Sequence, residues 1–275
     1  MMNVRGSVFT NFDEDVCVFS GTIYADSNDP DRLATSLLAL MRLFPDTANS
    51  LRVHAIPCPI LAAQLSNQDL WRRVFDACPF FKYLKLDARM DMSMKRAAAA
   101  AFLAHAAKQA KSLADQAEDA SDGDSTSDCF TRPNFNLRWP VMNHRHWDCR
   151  TSVPVPSLSL YAEELSGLVE VVSQCPSPDR FSLTVEIEYI GSCFGEGAKF
   201  INLVKRFATS RETGGDADVE PDSDSVDAQH EKEVLTQLRR LSEIPDKVEL
   251  MDALNVFVLK RKWEWPPTYV RPALR

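Results

Sequence analysis

The apolar positions of this chain fall into a recurring phrase: the end of an amphipathic segment, a proline, then an alternating extended stretch. Leu40-Met41-x-x-Phe44-Pro45 precedes Leu51-x-Val53-x-Ala55-Ile56, and Val74-Phe75-x-x-Cys78-Pro79 precedes Leu84-x-Leu86. Val171-Val172-x-x-Cys175-Pro176 precedes Leu183-x-Val185-x-Ile187, and Leu241-x-x-Ile244-Pro245 stands, more loosely, before Val256-x-Val258. A degenerate copy, Arg132-Pro133 before Leu137-x-Trp139, lies between them. Proline cannot continue a helix and drives the residue before it toward extended geometry. Each phrase is therefore a helix stop followed by a strand. A repeating helix–strand unit signals a solenoid or a parallel α/β sheet.

The pattern predicts parallel strands near 16–23, 51–56, 82–87, 182–189 and 254–261 in one sheet. It adds a strand at 135–142 and a pairing of Ser7–Thr10 with the first strand. The cleanest alternation is Phe181, Leu183, Val185, Ile187 and Tyr189. Helices are expected at 31–44, 68–77, 94–113, 160–174, 197–207 and 230–243. Asp29-Pro30 offers a cap and a first-turn proline to the first helix, and Ser93 is placed to cap the alanine-rich one. The fold class is thus α/β, one helix–strand unit per roughly 35–45 residues. Two architectures satisfy it, a leucine-rich-repeat-like solenoid and a doubly wound Rossmann-like sheet.

Charge changes the picture of where order stops. The net charge is -8, yet residues 114–128 hold six acids and no base, and residues 212–233 hold nine acids and one lysine. The other 238 residues carry 30 Lys and Arg against 24 Asp and Glu. Both tracts are poor in apolar residues, so they are expected to be disordered insertions, at about 114–128 and 212–233, in a single α/β repeat domain spanning 1–275. The mild basic surplus elsewhere does not make a nucleic-acid binder. No run of about 18 apolar residues exists, so no membrane association is expected. Asp13, Glu14 and Asp15 precede any long apolar stretch, which argues against a signal or transit peptide. Seven cysteines without paired spacing read as reduced thiols, and the expected compartment is cytoplasm or nucleus.

Candidate chemistry is sparse. His144-x-His146-x-x-Cys149 has metal-ligand residue types, but the second convergent pair of a tetrahedral zinc site is lacking. Gly191-Ser-Cys-Phe-Gly195-Glu-Gly197-Ala-Lys199 fails both phosphate-loop patterns: Ala198 separates glycine from lysine, and Phe200 stands where a hydroxyl is needed. It reads as a strand-to-helix turn. The basic, aromatic stretch Lys260-Arg-Lys-Trp-Glu-Trp reads as a terminal strand with snorkelling cations. No nucleophile elbow or His-Glu-x-x-His motif is present. No cofactor, metal or catalytic residue is therefore assigned, and the protein is not expected to be an enzyme.

Leu84-x-Leu86, with Phe81 and Ala77-Cys78-Pro79 before it, resembles a leucine-rich repeat of the ribonuclease-inhibitor type. Ile190-Gly191 followed by Glu196-Gly197-Ala198 resembles that family's strand-to-helix turn. The irregular units with Cys-Pro before the strand are similar to those of F-box/leucine-rich-repeat proteins, over roughly residues 15–262. The asparagine usual after the strand is Arg89 here, so a regular asparagine ladder is not expected. Pro45, Leu51, Cys58 and Gln68-Asp-Leu-Trp-Arg-Arg-Val-Phe75 also resemble the second half of an F-box. An F-box needs helix through that section, however, and Pro57 and Pro59 would break it. Trp71 is preferred as a core anchor of a solenoid helix.

The resemblance implies a protein-binding module whose partner is a protein or a ligase scaffold, as in the substrate-recognition part of an F-box-type ubiquitin ligase adaptor. The rival is an α/β enzyme, such as a transferase, with its site at the carboxyl ends of the strands. Within the binding function, the candidate contact residues lie near the strand ends: Asp87, Arg89 and Asp91 after the third strand, and His144, Arg145 and Trp147 after the strand at 135–142. Glu186 and Glu188 join them, because they alternate with Val185 and Ile187 and belong to the opposite face.

Overall fold

The structure, a computed structural model, describes residues 2–9, 15–23, 30–44, 46, 48–55, 59–87, 90–120, 133–142, 158–175, 181–190, 196–212, 226–243 and 256–257. The elements run β1 (Met2–Phe9), β2 (Asp15–Ile23), α1 (Pro30–Met41), β3 (Ser50–Ala55), α2 (Pro59–Leu65), α3 (Gln68–Ala77) and β4 (Tyr83–Lys85). They continue α4 (Met92–Ala120), β5 (Asn134–Met142), α5 (Leu158–Ser173), β6 (Ser182–Ile190), α6 (Glu196–Glu212), α7 (Val226–Ser242) and β7 (Val256–Phe257). One sheet holds all seven strands in the order β2-β1-β3-β4-β5-β6-β7.

From β3 to β7 every pairing is parallel, and the strand order never reverses. The fold is α/β. The first expected strand departs from the parallel run: β2 pairs antiparallel with β1, which pairs antiparallel with β3. Only residues 10–14 separate β1 from β2, and a parallel crossover needs a dozen residues or more. The hairpin is irregular between Gly6 and Ser7, where the register jumps from Phe19 to Cys17 and leaves Val18 unmatched.

The recurring phrase has one local geometry. In three copies, the residue before the proline donates its amide to the carbonyl three residues back: Phe44 to Met41 at 3.1 Å, Cys78 to Phe75 at 3.2 Å, and Cys175 to Val172 at 3.0 Å. This tightened final turn satisfies a helix-end carbonyl and buries the residue that makes it. Cys78 Sγ then donates to the Met41 carbonyl at 3.2 Å, joining one repeat's helix end to the previous one. The copy at Ile244-Pro245 lies outside the described residues.

The helices contact one another in chain order, α1 with α3, α3 with α4, α4 with α5 and α5 with α7, as one continuous row. Between row and sheet lie Leu51 and Val53 of β3, Leu84 of β4, Leu137 and Trp139 of β5, and Leu183, Val185 and Ile187 of β6, all essentially inaccessible. Phe75, Phe102, Phe135 and Phe181 meet in succession, tilted and then edge to face, at 5.5, 6.0 and 5.6 Å between ring centroids. Burial of such rings dominates core energetics.

Several details correct the sequence expectations. The cap of α4 is Asp91, not Ser93: Asp91 Oδ1 accepts the Met94 amide at 2.9 Å, and the Asp91 carbonyl receives the first helical bond, from Lys95. A carboxylate also suits the positive end of the helix. Residues 114–120 and 226–233 of the two acidic tracts are helical, as the ends of α4 and α7. In the stretch that resembles an F-box, Ser50–Ala55 is a strand bonded on both sides, where an F-box needs helix. Trp71 is fully buried, and its Nε1 donates to the Leu65 carbonyl at 2.7 Å, tying α3 to α2.

Pro140 sits inside β5, where a ladder amide would normally be needed. β4 stops at Lys85, so position 140 has no strand beside it on that edge. The Pro140 carbonyl is satisfied instead by Lys95 Nζ of α4 at 3.1 Å. That ammonium is wholly buried and also holds both Glu164 carboxylate oxygens of α5, at 2.8 and 2.9 Å. One lysine thus joins α4, α5 and β5.

Candidate recognition surface

Period-two alternation gives each strand a second face. The registers set Arg52, Lys85, Arg138 and Glu186 side by side across β3, β4, β5 and β6. Ser50, Tyr83, Asn136 and Thr184 form the neighbouring row. Arg5 of β1 stands opposite Arg52 in register and extends the first row to a fourth cation. These are the positions between the apolar residues that face the helices. Arg52, Lys85, Arg138, Tyr83, Asn136 and Thr184 are half-buried.

Glu186 organises the β5 side of the surface. Its Oε2 accepts Arg138 Nε at 2.5 Å and its Oε1 accepts Asn136 Nδ2 at 2.8 Å. The carboxylate is 7% exposed, so the charge-assisted bonds form in a partly desolvated setting. Burial, with a smaller contribution from the Glu186 charge, raises the Tyr83 hydroxyl pKa above its usual value, so Tyr83 stays a neutral donor.

The expected contact residues divide among several places. Glu186 belongs to this surface, on the side away from Val185 and Ile187. Glu188 pairs with Pro140 and Phe257 in register. Asp87, two residues beyond β4, is 8% exposed. Asp91 is exposed and spends its carboxylate on the α4 cap and on Ser93 Oγ, at 2.6 Å. Arg89, His144, Arg145 and Trp147 lie outside the described residues. Arg52, Lys85, Arg138, Tyr83 and Asn136 were not singled out from sequence, although Arg52, Lys85 and Arg138 are the unspecified residues within Leu51-x-Val53, Leu84-x-Leu86 and Leu137-x-Trp139.

Other chemistry-bearing groups among the described residues are structural. No group of three or more His, Cys, Asp or Glu converges there to hold a metal ion, and no helix there is long and apolar enough to cross a membrane. Burial, aided by Asp46, pushes the Cys78 thiol up to about 11, which leaves it protonated and a poor nucleophile. His105, 6% exposed and stacked on Phe75 at 5.5 Å, is pulled down to about 4 mainly by burial and is neutral at ordinary pH. The Lys95 ammonium is fully coordinated and closed to solvent.

Comparison with known proteins finds no matching family model, no matching curated protein and no matching solved structure.

Proposed function

We propose that this chain is a protein-binding module built as a leucine-rich-repeat-like solenoid, and that it holds its partner against the sheet face opposite the helices. The observation that carries this is the strand order: β3 to β7 advance in one direction while their helices form one continuous row. Right-handed crossovers advancing one way put every helix on the same side, whereas a doubly wound sheet reverses direction and covers both faces. The face opposite the helices then presents polar side chains from successive units, the usual recognition surface of a repeat array.

The test is affinity capture by the full chain followed by mass spectrometry, with two variants in parallel. Thr184→Trp places a bulky ring on the polar sheet face, and Lys108→Trp alters an exposed position on α4. Partners lost with the first and retained with the second support the assignment. Partners retained by both variants overturn it, as does a monomer that captures no protein and binds a nucleotide tightly, the behaviour of the enzyme reading. The narrower role, substrate recognition for a ubiquitin ligase, rests on the resemblance of the Cys-Pro-strand units to F-box/leucine-rich-repeat proteins and requires a ligase scaffold among the captured proteins.

A further inference from the structure

We infer that a pocket between α1, α2 and α3 binds the carboxyl-terminal residue of a polypeptide, taking its carboxylate and its apolar side chain together. The pocket lies on the helix side of the molecule, apart from the polar sheet face, and does not depend on a partner using that face.

The pocket has a volume of about 330 Å³, and its apolar wall is Ala34 of α1, Ala63 of α2 and Leu70 of α3. The two alanines are too short to fill the space between three helices. Its polar lining is Gln64, Asn67, Asp69 and Arg73. Most acceptors there are engaged or closed. Asn67 Oδ1 takes the Asp69 amide at 2.9 Å, and Asp69 Oδ1 takes Arg72 Nη1 at 2.8 Å. Gln64 Oε1 is buried, which leaves the NH2 of that amide as the end a ligand can reach. The donors stand open: among the described residues no acceptor meets the Arg73 guanidinium, Gln64 Nε2 or Asn67 Nδ2. Arg73 is exposed and lies four positions after Asp69, a spacing at which acid and base commonly pair on a helix. Asp69 pairs with Arg72 instead, so the pocket with Arg72 carries one net positive charge.

One net charge suits a carboxylate better than a phosphate dianion, and a guanidinium matches a carboxylate with two parallel bonds. The amide donors of Gln64 and Asn67 can serve the same anion. The wall of Ala34, Ala63 and Leu70 calls for a hydrocarbon group attached close to that charge. The last residue of a polypeptide combines the two, since its carboxylate and its side chain share one carbon. An internal apolar residue lacks the charge, and an aspartate or glutamate side chain lacks the hydrocarbon. A free amino acid would bring an ammonium beside Arg73, with only the second Asp69 oxygen to receive it. The volume is at the small end of the roughly 300–1,000 Å³ usual for ligand pockets. It admits a chain end and excludes a helix, which is about 10–12 Å across.

The experiment measures binding of a fluorescein-labelled Gly-Ser-Gly-Ser-Leu peptide with a free carboxyl terminus to the full chain, by fluorescence anisotropy. The same peptide ending in a carboxamide should bind roughly tenfold or more weakly, because it lacks the charge. Arg73→Gln should weaken the free-acid peptide by a similar factor and leave the carboxamide peptide unchanged, a pattern that misfolding does not produce. Ala63→Trp, at an exposed position of α2, fills the pocket and should abolish binding of both peptides. Lys108→Gln on α4, outside the pocket, should alter neither. No binding by the parent chain, equal binding of the two peptides, or indifference to Arg73→Gln or to Ala63→Trp overturns the inference. Displacement of the peptide by free leucine as readily as by N-acetyl-leucine also overturns it, because the pocket is then a site for an amino acid and not for a chain end.

Discussion

Removing the Lys95 ammonium tests how the helix row is fastened to the sheet. Lys95→Met keeps the length and apolar stem of the side chain and deletes only its charge. Two groups then lose their partner: the Glu164 carboxylate, whose side chain is 11% exposed, and the Pro140 carbonyl, at a position that β4 no longer pairs with. Deleting one member of a buried ion pair costs about 3–5 kcal/mol, because the survivor is left charged and unsolvated. An orphaned buried carbonyl costs about 1–3 kcal/mol more. Allowing for relaxation, a loss of about 4 kcal/mol is expected, a large part of a total stability on the order of 5–15 kcal/mol. The double variant Lys95→Met with Glu164→Leu removes both charges and should recover about half of that loss, leaving mainly the carbonyl. Urea titrations of the four proteins give the coupling energy, expected to exceed the Glu164→Leu loss by about 2 kcal/mol. Thermal midpoints should fall by roughly 8–16 °C in the single variant, at about 2–4 °C per kcal/mol. A single variant within about 1 kcal/mol of the parent, or a double variant as unstable as the sum of the two singles, would refute the reasoning.

His105 has a folded pKa near 4 against 6.5 unfolded, so the unfolded chain binds the proton first and stability falls as the solution is acidified through that window. Between pH 7.5 and 5 this group alone should cost about 2 kcal/mol, and denaturant titrations of His105→Gln should show a correspondingly shallower pH dependence. Asp91→Ala removes the α4 cap and should cost about 1 kcal/mol by urea denaturation, with Asp91→Asn retaining most of the stability; equal losses would deny the capping role. Trp71→Ala should cost about 3–5 kcal/mol, and Trp71→Phe less but still measurably, because the Leu65 carbonyl loses its donor; a stable Trp71→Ala chain would show that α3 is not anchored there.

How much of this was legible in the sequence depends on the range over which each feature is fixed. The helix stop before each proline is local, and three of its copies adopt the same tightened turn because proline forbids any continuation. Strand alternation is also local, and the apolar pairs Leu51 and Val53, Leu84 and Leu86, Leu137 and Trp139, and Val185 and Ile187, legible as alternating strand positions, are all buried. The N-terminal hairpin was half seen: its pairing follows from a short connection, but the antiparallel turn away from the repeat pattern follows only once that length is weighed. Serine is a good cap, so the sequence points to Ser93 for α4; the competing Asp91, two residues earlier, combines an oxygen acceptor with a favourable charge at the helix start.

The row of cations is the instructive omission. Prolines 45, 79 and 133 stand seven, six and five residues before Arg52, Lys85 and Arg138, so spacing alone does not align the three side chains. Alignment is a property of inter-strand register, which the apolar residues set by packing against the helices. Once Leu51, Leu84, Leu137 and Val185 are placed in one buried row, the residue after each of them must share the next row, on the opposite face. The apolar half of each Leu-x-Leu phrase therefore determines where the polar half stands, and the polar half alone carries what distinguishes this surface from that of any other parallel sheet. Along the row the residues run from arginine through lysine and arginine to glutamate.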